Sequence, residues 1–540
     1  MRLRTDPAQA ANIGYAYRTP SSGWAARVRH VLVQFSDYFS EFNRYIAPAY
    51  HHDRCERSVQ MRLYTMHKRE LMVVILTFVA CVFLAVLVGL CGPPITAQSE
   101  IRATSLRPSL SPQELASAST PMVLRTPALK SYHQQLWLIA KLQTDNVDDE
   151  LYDRAVHIGV TAHGIMEDHR PVLILKADRG HNRTRHLHCK LQDCEEVVIM
   201  HLGFLAYTHY MVEIRFYGLE SHTFNVKEIT FYFRTYNPEF TQIEIWFRLI
   251  FLIMTFVAMM MYAHALRKFP SHDWSIEQRW LSLLLPLLVF FNDPIFPLMF
   301  LTSSWVPGML DAVLQATFLC ALLLFWLCIY HGLRQNERRW GSFYAPKLLL
   351  VGLLWLGAVV MASWQKCNEL HDPTFNHRVD AADYNGYKAF LMAVGGLYAV
   401  YLLFLMLRAY TDLRSMPFFD MRLRFLTFFM MVVIGVTLTL AGMRYGAGVL
   451  EDDFVSELST TYTSSAHFMC FYGLLNFYTF AMAYVYSPAQ MQPHDQALTK
   501  DNPAFSMINE SDEEQVLYGS DDECRRPLNL SRCNEADDSD

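Results

Sequence analysis

Leu71-Met72-Val73-Val74-Ile75-Leu76-Thr77-Phe78-Val79-Ala80-Cys81-Val82-Phe83-Leu84-Ala85-Val86-Leu87-Val88-Gly89-Leu90 carries no charge from end to end. A membrane helix needs about 20 mostly apolar residues, because the hydrocarbon core is roughly 30 Å thick. The run therefore reads as a spanning helix. After a long polar interval, similar runs follow closely: Leu249 to Leu266, Trp280 to Leu301, Leu310 to Tyr330, Leu348 to Trp364, Ala389 to Leu407, Phe425 to Met443 and Ala466 to Tyr486. The expected fold is a multi-pass helical membrane protein with one early helix and seven later ones.

The composition agrees. Of 540 residues, 52% are hydrophobic and 18% charged, yet both ends are polar, so the apolar residues are concentrated in the middle. A net charge of -6 gives no reason to expect a nucleic-acid partner. No repeat of solenoid or propeller length is present.

Lys and Arg in the short loops set the orientation. The first, third and fifth loops between the seven later helices hold eleven, and the other three hold four. This excess predicts cytosolic N- and C-termini and a lumenal or extracellular segment between Cys91 and about Ile245. Some 70 residues precede the first run, which is long for a cleaved secretory signal. Residues 71–91 therefore read as a signal anchor, with Arg62, Lys68 and Arg69 inside. Cleavage would instead leave seven helices and an outside N-terminus.

Residues 1–70 hold eleven Lys and Arg against six Asp and Glu. Trp24, Val28, Val31, Phe35, Phe39 and Phe42 recur there at helical spacing. An amphipathic helix is expected, lying on the membrane surface or packed on the bundle. Residues 92–130 are rich in Ser, Pro and Thr and read as a linker. From 131 to 240 the pattern has period two, as in Val156, Ile158, Val160 and Ala162, or Tyr210, Val212, Ile214 and Phe216. Leu136 to Leu142, Val172 to Leu175 and Ile229 to Phe233 read as further strands. Several short strands in this interval predict a compact all-β sandwich. Residues 245–487 are the seven-helix domain. Residues 488–540 are acidic and predicted to be disordered.

Cys189 and Cys194 fall in the outer domain, where a hairpin disulfide suits an oxidising compartment; two free thiols are the other reading. Cys91 and Cys367 are also placed outside, and sequence leaves their pairing open. Asn182-Arg183-Thr184 is a glycosylation sequon in the same domain. His186 and His188 share a strand face, but no second ligand pair accompanies them. No phosphate loop, nucleophile elbow or zinc motif is found, so no catalytic residue, cofactor or metal is expected.

Polar residues within the spans carry more information, since buried charge there is costly. Asn292-Asp293-Pro294 should break the third span. Asp311 lies at the start of the fourth, and Asn476 midway along the eighth. Asn292, Asp293, Asp311 and Asn476 form a candidate polar pocket; the alternative is that they satisfy kinked backbone. Glu244 and Arg248, four apart, suggest a helical ion pair. In the tail, Asn502, Pro503 and Phe505 fit a sorting signal, and Ser511 and Ser520 precede acidic runs favoured by acid-directed kinases.

Several stretches make the chain resemble a known family. They are Tyr132-His133-Gln134-Gln135-Leu136-Trp137-Leu138; Thr235-Tyr236-Asn237-Pro238 with Glu244-Ile245-Trp246-Phe247-Arg248; Asn292-Asp293-Pro294; Asn368-Glu369-Leu370-His371-Asp372-Pro373; and Lys500-Asp501-Asn502-Pro503-Ala504-Phe505-Ser506-Met507. The chain is similar to the Wntless-like proteins, which place a GOLD-type β-sandwich above seven helices. The resemblance implies a GOLD-like domain over 131–240 and no catalytic residue to carry over. It includes a carrier of lipid-modified secreted protein, orphan members once grouped with G-protein-coupled receptors, and an association with sensitivity to a bacterial toxin. The expected function is a non-enzymatic receptor for cargo or ligand in the secretory pathway (Golgi or endosome) or at the plasma membrane. Its expected partners are membrane lipids, a lumenal or extracellular protein or lipidated cargo, a bacterial toxin by resemblance, and cytosolic trafficking adaptors. A signalling receptor is the runner-up, although no Asp/Glu-Arg-Tyr end or Asn-Pro-x-x-Tyr pattern is present. An ion path along Asp293 and Asp311 is a third reading.

Overall fold

The protein's structure is a computed structural model. It describes residues 59–106, 121–145, 152–166, 170–175, 182–190, 192–219, 226–302, 304, 306–333, 340–375, 384–413, 417–445 and 464–489. The amphipathic helix expected within 1–58 and the acidic tail beyond 489 lie outside the described residues.

Among the described residues, eight helical segments are long and apolar enough to cross a membrane. Their helices are α1 (Lys68–Leu90), α2 (Pro238–Leu266), α3 (Ile276–Phe291), α4 (Val306–Gly332), α5 (Ala345–His371), α6 (Tyr384–Leu413), α7 (Pro417–Tyr445) and α8 (Ser465–Val485). Between α1 and α2 lies an all-β unit. Its strands are β1 (Thr96–Arg102), β2 (Met122–Arg125), β3 (Leu136–Thr144), β4 (Tyr152–Ile165), β5 (Pro171–Leu175), β6 (Asn182–Lys190), β7 (Asp193–Cys194), β8 (Val197–Leu202), β9 (His209–Tyr217) and β10 (Val226–Tyr236).

The strands make two antiparallel layers. One runs β1-β10-β3-β8. In the other, β2 pairs β9 and β9 pairs β4, whose far edge pairs β6 and β5. The two-residue β7 pairs with both β3 and β6 and so joins the layers. Alternation along each strand sends apolar side chains inward. Leu138 and Ala140 of β3, Val156 and Val160 of β4, Val212 and Ile214 of β9, and Phe231 and Phe233 of β10 share one buried core. The rings of Phe216 and Phe231 meet across it at 6.4 Å. The structure joins Cys189 to Cys194 beside β7. Cys91 and Cys367 are free thiols.

The linker reading of 92–130 needs correction. Thr96–Arg102 is β1, paired with β10 from Thr96↔Tyr236 to Arg102↔Thr230, and Met122–Arg125 is β2 on the β9 edge. β1, Thr-Ala-Gln-Ser-Glu-Ile-Arg, is neither strongly alternating nor apolar, and β2, Met-Val-Leu-Arg, has only four residues in which to show a period. Its backbone is satisfied by long-range pairing, which residue pattern alone does not reveal.

Helix α8 is the centre of the bundle and packs against α1, α2, α3 and α7. Its contact with α1 depends on small residues, as is common where helices approach closely in lipid. A Cβ added at Gly89 would lie 2.4 Å from the Ala466 Cα. The α1 and α8 ends away from the sandwich are clasped together. Arg62 N–H donates to the Ser487 carbonyl at 3.0 Å, and Ala489 N–H donates to the Gln60 carbonyl at 2.9 Å. Val59 N–H reaches the Asp273 carbonyl of the α2–α3 loop at 2.8 Å. The described parts nearest both chain ends therefore share one face of the bundle, and the sandwich occupies the other.

Candidate functional site

Helix α2 follows β10 without a linker. Asn237 caps it, its side chain accepting from Glu239 N–H at 3.1 Å, and Pro238 occupies the first turn, where a missing N–H costs nothing. Two turns further, Glu244 and Arg248 project inward on one face. Helix α3 ends at Phe291, and a 3₁₀ turn resumes at Phe296–Phe300. Asp293 in the gap has φ +49°, a left-handed value uncommon outside glycine, and its Oδ1 accepts from Ile295 N–H at 3.2 Å. The span is thus broken at the expected place. Asp311 and Gln315 on α4, and Tyr472 and Asn476 on α8, supply the remaining groups.

Arg248 is the hub of an ionic cluster. Its guanidinium donates to Glu244 Oε1 and to Asp311 Oδ1, each at 3.0 Å, and lies 3.8 Å from Asp293 Oδ2. Gln315 Nε2 donates to Asp311 Oδ1 at 2.7 Å and to the Tyr472 hydroxyl at 3.0 Å. Arg248 Cζ also sits 4.1 Å from the centre of the Phe296 ring, a cation–π distance. The side chains of Arg248, Glu244 and Asp293 are at most 7% exposed and that of Asp311 is 17% exposed. Buried charges of this kind are tolerated only when each has its partner, because removing one leaves the others desolvated and unpaired. The helical ion pair expected at Glu244 and Arg248 is therefore buried and extends to Asp293 and Asp311.

Directly beside this cluster is an amide lock. Asn292 Nδ2 donates to Asn476 Oδ1 at 3.0 Å, and Asn476 Nδ2 returns to Asn292 Oδ1 at 3.1 Å. Thr255 of α2 joins both, accepting from Asn292 at 3.0 Å and donating to Asn476 Oδ1 at 3.2 Å. The structure thus gathers all four sequence-nominated residues into two adjoining clusters. Their side chains partner one another as well as the broken helix.

The sandwich reaches into this site. Gln134, at φ +54°, sends Nε2 to Thr241 Oγ1 at 3.0 Å and to Glu244 Oε2 at 3.3 Å. Thr241 in turn donates to the Tyr132 carbonyl at 2.8 Å. Gln134 and Asp293 are the non-glycine residues with positive φ among those described, and they flank the same ionic cluster. Held strain of this kind persists where surrounding contacts over-determine it. A second joint forms at the end of α5. Arg183 pairs with Asp372, Arg185 Nη2 donates to the Thr374 carbonyl at 2.7 Å, and His201 N–H donates to the Pro373 carbonyl at 2.7 Å. Burial works to raise the Asp372 carboxyl. Hydrogen bonds from Thr374 and Arg183 outweigh it and hold the group below the usual carboxylate range.

Residues 237–490 match a family model described as the Wntless-like transmembrane domain, and residues 120–236 match one described as the TMEM181 GOLD domain. The chain is 46% identical over 462 residues to human transmembrane protein 181, covering 85% of this chain and 94% of that protein. The chain belongs to the transmembrane protein 181 family. It is also 24% identical over 343 residues to the chicken protein wntless homolog, covering 58% of this chain and 62% of that protein. The chain is accordingly a Wntless-like multi-pass membrane protein with a GOLD domain.

The boundary between the two family models falls between Tyr236 and Asn237, so the Gln134–Glu244 hydrogen bond joins one domain to the other. Helix α1 and strand β1 lie outside both models. Sequence reasoning gave no site role to Gln134, nor to a second buried pair, Arg422 of α7 with Glu277 of α3, on the face away from the sandwich. Glu277 and Arg422 are 145 residues apart, so no local spacing announces them. Their signal was a charged residue within the first turns of a span. Asn182 opens β6. Asn502, Pro503, Phe505, Ser511 and Ser520 lie outside the described residues.

Proposed function

We propose that this chain is a non-enzymatic receptor of secretory-pathway and cell-surface membranes. Its sandwich takes a protein ligand or secreted cargo on the lumenal or extracellular side, and its bundle responds through the ionic cluster. The observation that carries the reading is the Gln134 side chain, which leaves the sandwich and bonds to Glu244 at the edge of the buried charges. A ligand that shifts the 131–135 turn must change that contact, and the cluster can answer because it spans α2, α3 and α4. The loop-charge excess supports a cytosolic placement for both chain ends. On this reading Asn182 carries glycan, and the tail motifs engage trafficking adaptors. Use as a toxin receptor would exploit the exposed sandwich.

The test compares the secreted and surface proteomes of cells with and without the protein. Selective retention of a few proteins is expected in its absence. Wild type should rescue them, whereas chains lacking 131–240 or carrying Gln134→Leu should not. An unchanged proteome in cells that depend on the protein would sink cargo escort and favour ligand-triggered signalling.

A further inference from the structure

The clasp between α1 and α8 places the start of the acidic tail beside a basic rim. The tail's last described residues are pinned: Ala489 N–H is held by Gln60, and Ser487 accepts from Arg62. The same short strap binds the α2–α3 loop through Val59 and Asp273. That loop exposes Arg267 and Lys268, and α3 adds exposed Arg279 in its first turn. Exposed Lys68 and Arg69 begin α1, next to the clasp, and exposed Arg424 lies two residues beyond Arg422 near the start of α7, at the same end of the bundle. Among the described residues, Glu70, Asp273 and Asp412 offset only part of this charge.

Residues 490–540 hold thirteen Asp and Glu against four Lys and Arg. The densest acidic runs, Asp512-Glu513-Glu514 and Asp521-Asp522-Glu523, begin 23 residues beyond Ala489. A flexible chain of that length spans about 25–30 Å on average, enough to fold back over a loop beside its own origin. Tethering converts a weak attraction between opposite charges into an intramolecular one at an effective concentration of the order of millimolar.

We propose that the acidic tail docks back on this basic rim. The occupant is the tail itself, about residues 510–523, held by charge complementarity rather than by an apolar groove. Docking covers the loop faces nearest Lys268 and holds Asn502-Pro503-Ala504-Phe505 close to the membrane face. Phosphate on Ser511 or Ser520 would add roughly 1.5 to 2 negative charges each and tighten the contact. Salt would loosen it, because exposed charges are screened over about 8–10 Å at physiological ionic strength.

The test uses the full chain in phosphatidylcholine vesicles, with a carbodiimide that couples lysine to carboxylate at zero length. Residues 1–58 contain no lysine, so cross-links from Lys68 or Lys268 report on the rim. Cross-links from these lysines to carboxylates in 510–523 are expected, with a several-fold loss in high salt. A variant that changes Asp512, Glu513, Glu514, Asp521, Asp522 and Glu523 to their amides touches no described residue. It should lose the cross-links and make the tail several-fold more sensitive to protease. Tail carboxylates that couple only to Lys500, with equal protease rates in wild type and variant, would overturn the proposal. Rim lysines that couple to no tail carboxylate, in a protein that captures phosphatidylserine once that lipid is added to the vesicles, would assign the rim to lipid headgroups and overturn it equally.

Discussion

Gln134 of the sandwich and Glu244 of α2 are 110 residues apart in sequence and 3.3 Å apart in space, Nε2 to Oε2. A hydrogen bond to a charged group contributes roughly 1.5–3 kcal/mol. Gln134→Leu should therefore leave both domains folded but loosen their joint. Hydrogen exchange over residues 131–135 and 241–248 is expected to speed up about tenfold or more, the equivalent of roughly 1.4 kcal/mol. Unchanged exchange there would remove Gln134 from the coupling.

Arg248 neutralises part of a cluster of three carboxylates. Arg248→Met leaves Glu244, Asp293 and Asp311 without their cation, at a cost of about 3–5 kcal/mol. The purified full chain should unfold at a clearly lower temperature or fail to accumulate. A partial rescue is expected when Glu244→Gln and Asp311→Asn are added, since the uncompensated charge is then removed.

Asn292 and Asn476 exchange two hydrogen bonds. Interhelical pairs in membrane proteins are worth roughly 0.6–1.7 kcal/mol. Asn292→Ala and Asn476→Ala should each destabilise the bundle, and the double variant should cost less than their sum. Strict additivity in thermal unfolding would mean that the two amides act independently.

The Asp372 carboxyl is held below its ordinary range in the folded protein. A depressed carboxyl contributes stability that is fully present above its unfolded value, near 3.9, and is lost as pH falls through the folded value. The Arg183–Asp372 joint should therefore persist from neutral pH down to about 5. Hydrogen-exchange protection at residues 183–185 and 372–374, corrected for the intrinsic pH dependence of exchange, should stay constant over that range in wild type and be weaker throughout in Asp372→Asn. A wild-type loss between pH 7 and 5 would contradict this assignment.

The Cys189–Cys194 bridge closes a loop with a sequence separation of only 5. For so short a loop the chain-entropy gain is about 2 kcal/mol. The double Ser variant should lower the unfolding temperature of the sandwich by several degrees without changing the bundle. Its largest gain in exchange should fall around Gln143, whose β3 backbone pairs with Asp193 of β7.

The spans were readable because lipid imposes a length and a composition on every helix that crosses it. Leu71 to Leu90 falls within α1, and Ala466 to Tyr486 nearly coincides with α8. The core strands were readable for a similar reason: a two-layer sandwich forces alternation on β4, β9 and β10. The edge strand β1 was not, since Gln98, Ser99 and Glu100 gain their place from β10 rather than from burial. The break at Asn292-Asp293-Pro294 followed from proline's missing donor. The partners across it did not, because Arg248–Asp311 and Asn292–Asn476 close contacts over 63 and 184 residues. Helical spacing announced the Glu244–Arg248 pair but not its burial, because spacing says nothing about what stands in front of the face.

Strands β1 and β10 lie side by side for seven paired positions, and each continues at the same end into a membrane helix. The sandwich is therefore mounted on two legs, not hung from one swivel. Rotation about the bilayer normal would have to shear the ribbon or twist α1 against α2. A partner gripping the outer strands meets them at a set azimuth, and any torque it exerts passes into both helices at once.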